Sequence, residues 1–403
     1  MTDFAIMEGE RELITVEHFM NLSAEINYHL SAEVPNEDAL LALVTGPAKV
    51  PDQDALKQTV GIIRLGYGRT RRKIGPMAVL HPLRTAALLS RCMRDPDILD
   101  LLGALLHDKD EDLPLNRIPE KNRDQFANSF NMLLEKIGNE QQWYLGERLS
   151  YLTREPGLPY QAYLVRLLDA SERMPDLLHV KLADRLDNTL DHHIHRPGVI
   201  RYNFYRNLFD LFFVSVYKGV RIRQYHFLPE PKEGSLLLAQ LFKNALFLSL
   251  LRITGRCNLD ETTKSLFDAV AIASIREAQW LALELIATHD ESEMPDLRRQ
   301  FIETMEYCYH GGATQVHAAN SEGSLAGFFL ERFANTRGQD RRDALIELYE
   351  DKDYLTTVII TFIATFSAFL NDPEFSIEGI DRDGIRAVPW VNPNDPPPIA
   401  PVE

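Results

Sequence analysis

The chain is short of cysteine, with three in 403 residues: Cys92, Cys257 and Cys308. Their spacings match neither a zinc motif nor a disulfide framework, so reduced thiols in a cytoplasmic protein are the simplest expectation. Positive charge is scarce too. There are 43 Lys and Arg against 59 Asp and Glu, for a formal net charge of -16. A polyanion would be repelled over most of such a surface, which argues against general nucleic-acid binding and against adsorption to an anionic membrane. No run reaches the roughly 20 apolar residues that a membrane-spanning helix needs. The nearest approach, Tyr354 to Leu370, carries no charge but contains four threonines and a serine between EDKD and NDP, and is expected as a buried globular helix. The first residues, MTDFAIMEGERELITVEHF, show neither the basic nor the apolar region of a secretory signal, so export is not expected. Walker motifs, a GxGxxG fingerprint and internal repeats are absent as well.

What the chain does have is helical periodicity. A composition 45% hydrophobic and 25% charged can bury one large core or two medium ones, and an all-α protein with two helical units is expected. Residues 1–45 read as amphipathic helix pieces broken at Pro35-Asn36, with Val16, Phe19, Met20 and Leu22 at helical spacing and no evident chemistry. From Asp124 to Arg166 the aromatics Phe130, Trp143, Tyr144, Tyr151, Tyr160 and Tyr163 read as core or groove anchors. Beyond residue 210 come strongly apolar helices such as SLLLAQLFKNALFLSLLRI and SLFDAVAIASIREAQWLALELIA. His310 and His317 lie in a Gly-rich loop without carboxylates at ligand spacing, and the chain ends in a Pro-rich, extended tail. No residue pattern specifies an oligomeric state.

Chemistry concentrates in DPDILDLLGALLHDKDED, Asp95 to Asp112. Asp95 suits an N-cap and Pro96 a first helical position, and Ile98, Leu101, Leu102, Leu105 and Leu106 then form a buried stripe. The stripe runs straight into His107-Asp108, followed by Glu111 and Asp112. Upstream, Arg64, Arg69, Arg71, Arg72 and Lys73 make a cationic loop between Gly66, Gly68 and Gly75, a flexible phosphate receptor or else a solvated face. His81 opens the next helix. Downstream, DLLHVKLADRLDNTLDHH places Val180, Asp184 and Asn188 on one helix face and Leu178, Leu182 and Leu186 on another. Adjacent His107 and Asp108 stand about 100° apart on a helix and can share one ion placed over that edge. With His81 and Asp184 they make two imidazoles and two carboxylates, a set that suits manganese, iron or zinc and leaves positions open for water and a substrate oxygen.

The spacing of RRKIGPMAVLHPLRTAALL, LLHDKDED and VKLADRLDN resembles the HD-domain metal-dependent phosphohydrolases, whose signature is H…HD…D. More closely, it resembles the hydrolase domain of the RelA/SpoT homologues, which removes pyrophosphate from the nucleotide alarmone (p)ppGpp. The resemblance covers roughly residues 50–200. It implies an HD-domain helical bundle at 46–209, preceded by a helical segment at 1–45 and followed by a second helical unit at 210–370 and a Pro-rich tail at 371–403. It implies a manganese ion on His81, His107, Asp108 and Asp184, with Glu111 and Asp112 orienting or deprotonating the attacking water. Arg72 and Lys73 would contact the base or phosphates of a nucleotide substrate, and Asn188 would line its pocket. Two other readings use the same residues: an HD-superfamily nucleotidase or phosphodiesterase with another nucleotide substrate, and a nucleotide-binding sensor or scaffold without turnover.

Overall fold

Leucine-rich stripes at three- and four-residue spacing become helices, and the fold is all-α. The computed structural model describes residues 15–32, 35–46, 52–72, 74–156, 158, 160–194, 236–289, 340, 380–381 and 384–385. Helices run in the order α1 (Val16–Ser31), α2 (Glu37–Thr45), α3 (Gln53–Tyr67), α4 (Leu80–Cys92), α5 (Ile98–Leu106), α6 (Lys109–Asp112), α7 (Glu120–Ile137), α8 (Asn139–Leu152), α9 (Tyr160–Ala170), α10 (Asp176–Ile194), α11 (Leu236–Ile253) and α12 (Glu261–His289). The paired strands among the described residues are β1 (Ile380–Asp381) and β2 (Gly384–Ile385), a two-residue antiparallel hairpin.

Two compact units emerge. The first comprises Met1–Pro156, Arg166–Arg196 and Gly255–Ala273, the second Gly157–Val165, Pro197–Thr254 and Ser274–Glu403. In the first, α4 is the central post, packed against α10, α5, α2 and α1. Every residue of α4 except Arg91 is buried, polar His81, Arg84, Thr85 and Ser90 included. A helix covered on all sides buries its polar residues as well, and each of those then needs a partner. The same holds for α10, where Val180, Asp184 and Asn188 are as inaccessible as Leu178, Leu182 and Leu186 on the other face.

Local signals account for most boundaries. Asp52 caps α3 by accepting from the Ala55 amide, as expected for a helix beginning there. Asn36, at the expected break, caps α2 through the Ala39 amide. Helix α1 buries Phe19, Leu22 and Ile26, but Met20 is 48% exposed because it falls on the opposite face. On α8 the buried residues are Leu145, Leu149 and Leu152. Trp143 and Tyr144 are consequently exposed, rather than anchored as their aromatic character suggests.

In the second unit, α11 is buried from Asn244 to Leu251, and Asn244 Nδ2 donates to Ser274 Oγ at 2.8 Å. The segments Tyr354–Leu370, His310, His317 and most of the Pro-rich tail lie outside the described residues. Among the described residues no helix is long and apolar enough to cross a membrane. Among the described residues, Cys92 and Cys257 form no disulfide.

Candidate metal centre

His81 is the second residue of α4, followed by Pro82, a residue tolerated in a first turn because the N–H groups there have no helical partner. Helix α5 starts later than Asp95 and Pro96 suggest. Its N-cap is Asp97, whose side chain accepts from the Asp100 amide at 2.9 Å while Asp100 accepts from the Asp97 amide at 3.0 Å. That reciprocal pair satisfies two amides at once, and so outcompetes a single cap at Asp95.

His107 and Asp108 do not share one continuous helix. Helix α5 closes at Leu106 with His107 as its C-cap, and Asp108, at φ -96° and ψ 6°, occupies the sparsely populated bridge region before α6 begins at Lys109. This kink, rather than a 100° helical step, places the Asp108 carboxylate beside the His107 ring.

Four donor atoms converge. His81 Nε2 lies 3.1 Å from His107 Nε2, 3.2 Å from Asp108 Oδ2 and 3.3 Å from Asp184 Oδ1. His107 Nε2 lies 3.2 Å from Asp108 Oδ2 and 3.7 Å from Asp184 Oδ1. With metal–ligand bonds of about 2.0–2.2 Å, neighbouring ligands around one ion stand about 3.0 Å apart in an octahedron and about 3.4 Å apart in a tetrahedron. The separations among His81, His107 and Asp108 fall within that range, so these three fit a divalent ion; Asp184 Oδ1 is within it of His81 but, at 3.7 Å, stands back from His107. Asp108, 26% exposed, is the open side of a centre otherwise nearly sealed.

The outer contacts explain why these atoms face one another. His81 Nδ1 donates to Asp187 Oδ2 at 2.6 Å, and His107 Nδ1 donates to the Ala104 carbonyl at 2.8 Å. Both acceptors fix the proton on Nδ1 and leave the Nε2 lone pair facing inward. Two ring lone pairs and the Asp108 oxygen then face one another, while Asp184 Oδ1 beside them also accepts from Asn188 Nδ2, an arrangement that favours a cation. When no metal is bound, protons take that place. Burial and Arg72 oppose a charged His81, but Asp187, Asp108 and Asp184 outweigh them and hold its pKa well above the ordinary imidazole range. Burial likewise opposes a charged His107, and Asp108 and Asp184 still raise its pKa to about 9.

Asp187 is the hub of a buried charge network. Arg84, fully buried, donates from Nε to Asp187 Oδ1 at 2.7 Å, pairs through Nη2 with Asp191 Oδ1 at 2.9 Å, and donates from Nη1 to Ser23 Oγ at 3.1 Å. Its guanidinium also lies 5.0 Å from the Phe19 ring centroid. Helix α1, which shows no chemistry in sequence, thus supports the centre from behind. Lys181 Nζ sits 2.8 Å from Asp184 Oδ2, leaving Oδ1 toward the histidines.

The basic loop is a turn closed by main-chain bonds: Arg72 N donates to Pro76 O, Gly75 N to Arg72 O, and Ala78 N to Thr70 O. Gly75, at φ +112°, takes a conformation that side-chain-bearing residues rarely adopt. Arg72 reaches α10, donating to Asp191 Oδ2 at 2.8 Å and Asn188 Oδ1 at 2.5 Å. Asn188 in turn donates to the Asp184 carbonyl at 3.0 Å. Arg64 pairs with Glu37, and Arg71 donates to the Gly75 carbonyl. Lys73 lies outside the described residues. Glu111 accepts from the Arg154 amide at 2.6 Å, and Asp112 accepts from the Tyr67 hydroxyl at 3.0 Å.

The structure therefore gathers His81, His107 and Asp108 around one point, with Asp184 beside the two histidines and Arg72 and Asn188 linked to it through α10. Sequence reasoning missed Arg84, Asp187, Asp191 and Lys181. One signal was available: Asp184, Asp187, Asn188 and Asp191 follow i, i+3, i+4, i+7 spacing, a polar stripe on a helix too apolar elsewhere to lie at the surface. Comparison of the chain with protein-family models and with curated proteins finds no match.

Proposed function

We propose that the protein is a metal-dependent phosphohydrolase of the HD type, acting on a nucleotide that carries a diphosphate, with (p)ppGpp as the leading substrate. The observation that carries this reading is the convergence of His81 Nε2, His107 Nε2, Asp108 Oδ2 and Asp184 Oδ1 with both Nδ1 atoms already bonded elsewhere. The resemblance of the spaced motifs to the RelA/SpoT-type hydrolase domain supplies the substrate class and manganese as the metal; the donor set itself suits iron and zinc as well.

Charge balance supports an anionic substrate. Asp187 and Asp191 are matched by Arg84 and Arg72, and Asp184 by Lys181. Among the described side chains in direct contact, Asp108 is the carboxylate left for the ion, so a divalent metal gives the centre a net positive charge. When bound, such an ion supplies Lewis acidity toward water and a phosphoryl oxygen.

The protein's own groups do the rest. Glu111 and Asp112 are not among the four donors, so either is available to take a proton from the attacking water. Partial desolvation first, and the charge of Asp108 after it, raise both from the ordinary carboxylate value, in the direction that makes them better bases. Arg72, with two of its five N–H donors engaged by Asp191 and Asn188, is part-exposed and can offer others to a phosphate.

The test is turnover of ppGpp by the purified, manganese-loaded protein, with GDP and pyrophosphate as products and loss of both on chelation. Cleavage of a different nucleotide with none of ppGpp would move the reading to an HD-superfamily nucleotidase or phosphodiesterase. A metal-loaded protein that binds ppGpp and cleaves no nucleotide would be a sensor and would overturn it.

A further inference from the structure

We infer that Tyr67 is a positioning residue for Asp112, so that Asp112, rather than Glu111, is the carboxylate held ready for the attacking water. The inference rests on the hydrolase reading above and names which of its two acids does the work.

The construction begins in the stretch Gly66-Tyr67-Gly68, where α3 ends. A Cβ on Gly66 would come within 2.8 Å of both Leu113 Cδ1 and Phe126 Cε2. With glycine there, the last turn of α3 packs closely against Leu113 and Phe126, whose side chains would have to shift for a Cβ. Gly68, at φ +54°, then closes the helix with its N–H on the Arg64 carbonyl. Between them Tyr67, 4% exposed, is delivered with its hydroxyl 3.0 Å from Asp112 Oδ2.

Toward the Asp112 carboxylate that hydroxyl is the donor. Burial, with Asp108 and Asp112 nearby, pushes its proton loss far above the ordinary phenol range. One carboxylate oxygen of Asp112 is therefore pinned from the protein side, and the other is left for solvent or substrate. The amide of Asp112 donates to the Asp108 carbonyl at 2.8 Å, which ties the backbone of the base to that of a ligand. Glu111 is anchored differently. Its carboxylate accepts the Arg154 amide and its carbonyl accepts Arg117 Nη1, neither of them a side-chain donor from α3.

Tyr67→Phe keeps the ring and removes the donor. With the manganese-loaded protein and ppGpp, kcat is expected to fall roughly 10- to 100-fold, the scale of a lost hydrogen bond to a charged, reacting group, while KM, manganese affinity and Tm stay near the parent values. The same substitution in an Asp112→Asn background should cost nothing further, because a residue that acts through Asp112 has nothing left to position. Independent, additive losses in the double variant, or an unchanged kcat in Tyr67→Phe beside an active parent, would overturn the role of Tyr67 and leave the hydrolase reading standing. A parent protein that cleaves no nucleotide would overturn both.

Discussion

His81 and His107 point Nε2 at Nε2 across 3.1 Å, each with Nδ1 bonded to an acceptor, Asp187 Oδ2 in one case and the Ala104 carbonyl in the other. A ring proton can bridge the pair when no metal is bound, and a divalent ion would take that place in the loaded protein. Manganese should stabilise the fold, by about 2.7 kcal/mol when free metal is 100 times Kd. His107→Ala should remove that metal-dependent rise in Tm and weaken manganese binding by more than about 100-fold, beyond the range for outer contacts. Thermal melts with and without metal check this. An undiminished metal-dependent rise in the variant would exclude His107 as a ligand.

Asp187 touches no donor point of the ion, yet it orients His81 and neutralises Arg84. Asp187→Asn keeps the shape and weakens the acceptor, and manganese affinity should fall roughly 10- to 100-fold as for other carboxylates behind a ligating histidine. Asp187→Ala leaves Arg84 charged in the core and should cost about 3–5 kcal/mol of stability. Calorimetric titration and urea unfolding separate the two effects; equal metal affinity in Asp187→Asn and parent would remove Asp187 from the centre.

Arg84 depends in turn on α1, through Ser23 and the Phe19 ring. Phe19→Ala should destabilise the protein by about 3–5 kcal/mol, as for other fully buried aromatics, and loosen metal binding with it. A version beginning at residue 46 should bind manganese weakly even if soluble, whereas full affinity without α1 would show that Arg84 needs no such support.

Asp100 gives a pH dependence remote from the metal. Burial, then the charge of Asp97, raises its pKa from 3.8 to about 6. The folded state thus holds this proton more tightly than the unfolded chain. Its contribution is complete below the unfolded pKa and is lost as pH rises from about 4 through about 6, at most about 3 kcal/mol for a shift of this size. Asp100→Asn removes that loss, so relative to the parent the variant should gain stability between pH 4 and pH 7, measured by urea unfolding at each pH. A constant difference across that range would show that Asp100 titrates normally.

How much of this was legible in sequence depends on the range of each interaction. The α5 stripe and the caps at Asn36 and Asp52 are local, and their residues declare themselves. His81, His107, Asp108 and Asp184 were legible because spaced motifs single them out, though the kink at Asp108 was not. The start of α5 was misjudged because Asp95 and Asp97 both make good caps, and only the reciprocal bond to Asp100 chooses between them. Trp143 looked like core because it is aromatic, while the leucine period of α8 turns it outward. Arg84 and Asp187 are 103 residues apart, and no local pattern announces that pairing.

The claim on which the rest stands is that His81, His107, Asp108 and Asp184 hold one metal ion. A crystal grown with manganese and measured at an anomalous wavelength tests it directly. The account predicts a single strong anomalous peak about 2.0–2.3 Å from His81 Nε2, His107 Nε2, Asp108 Oδ2 and Asp184 Oδ1. A map without a peak there, or with manganese bound elsewhere and the two histidines still face to face, would contradict it.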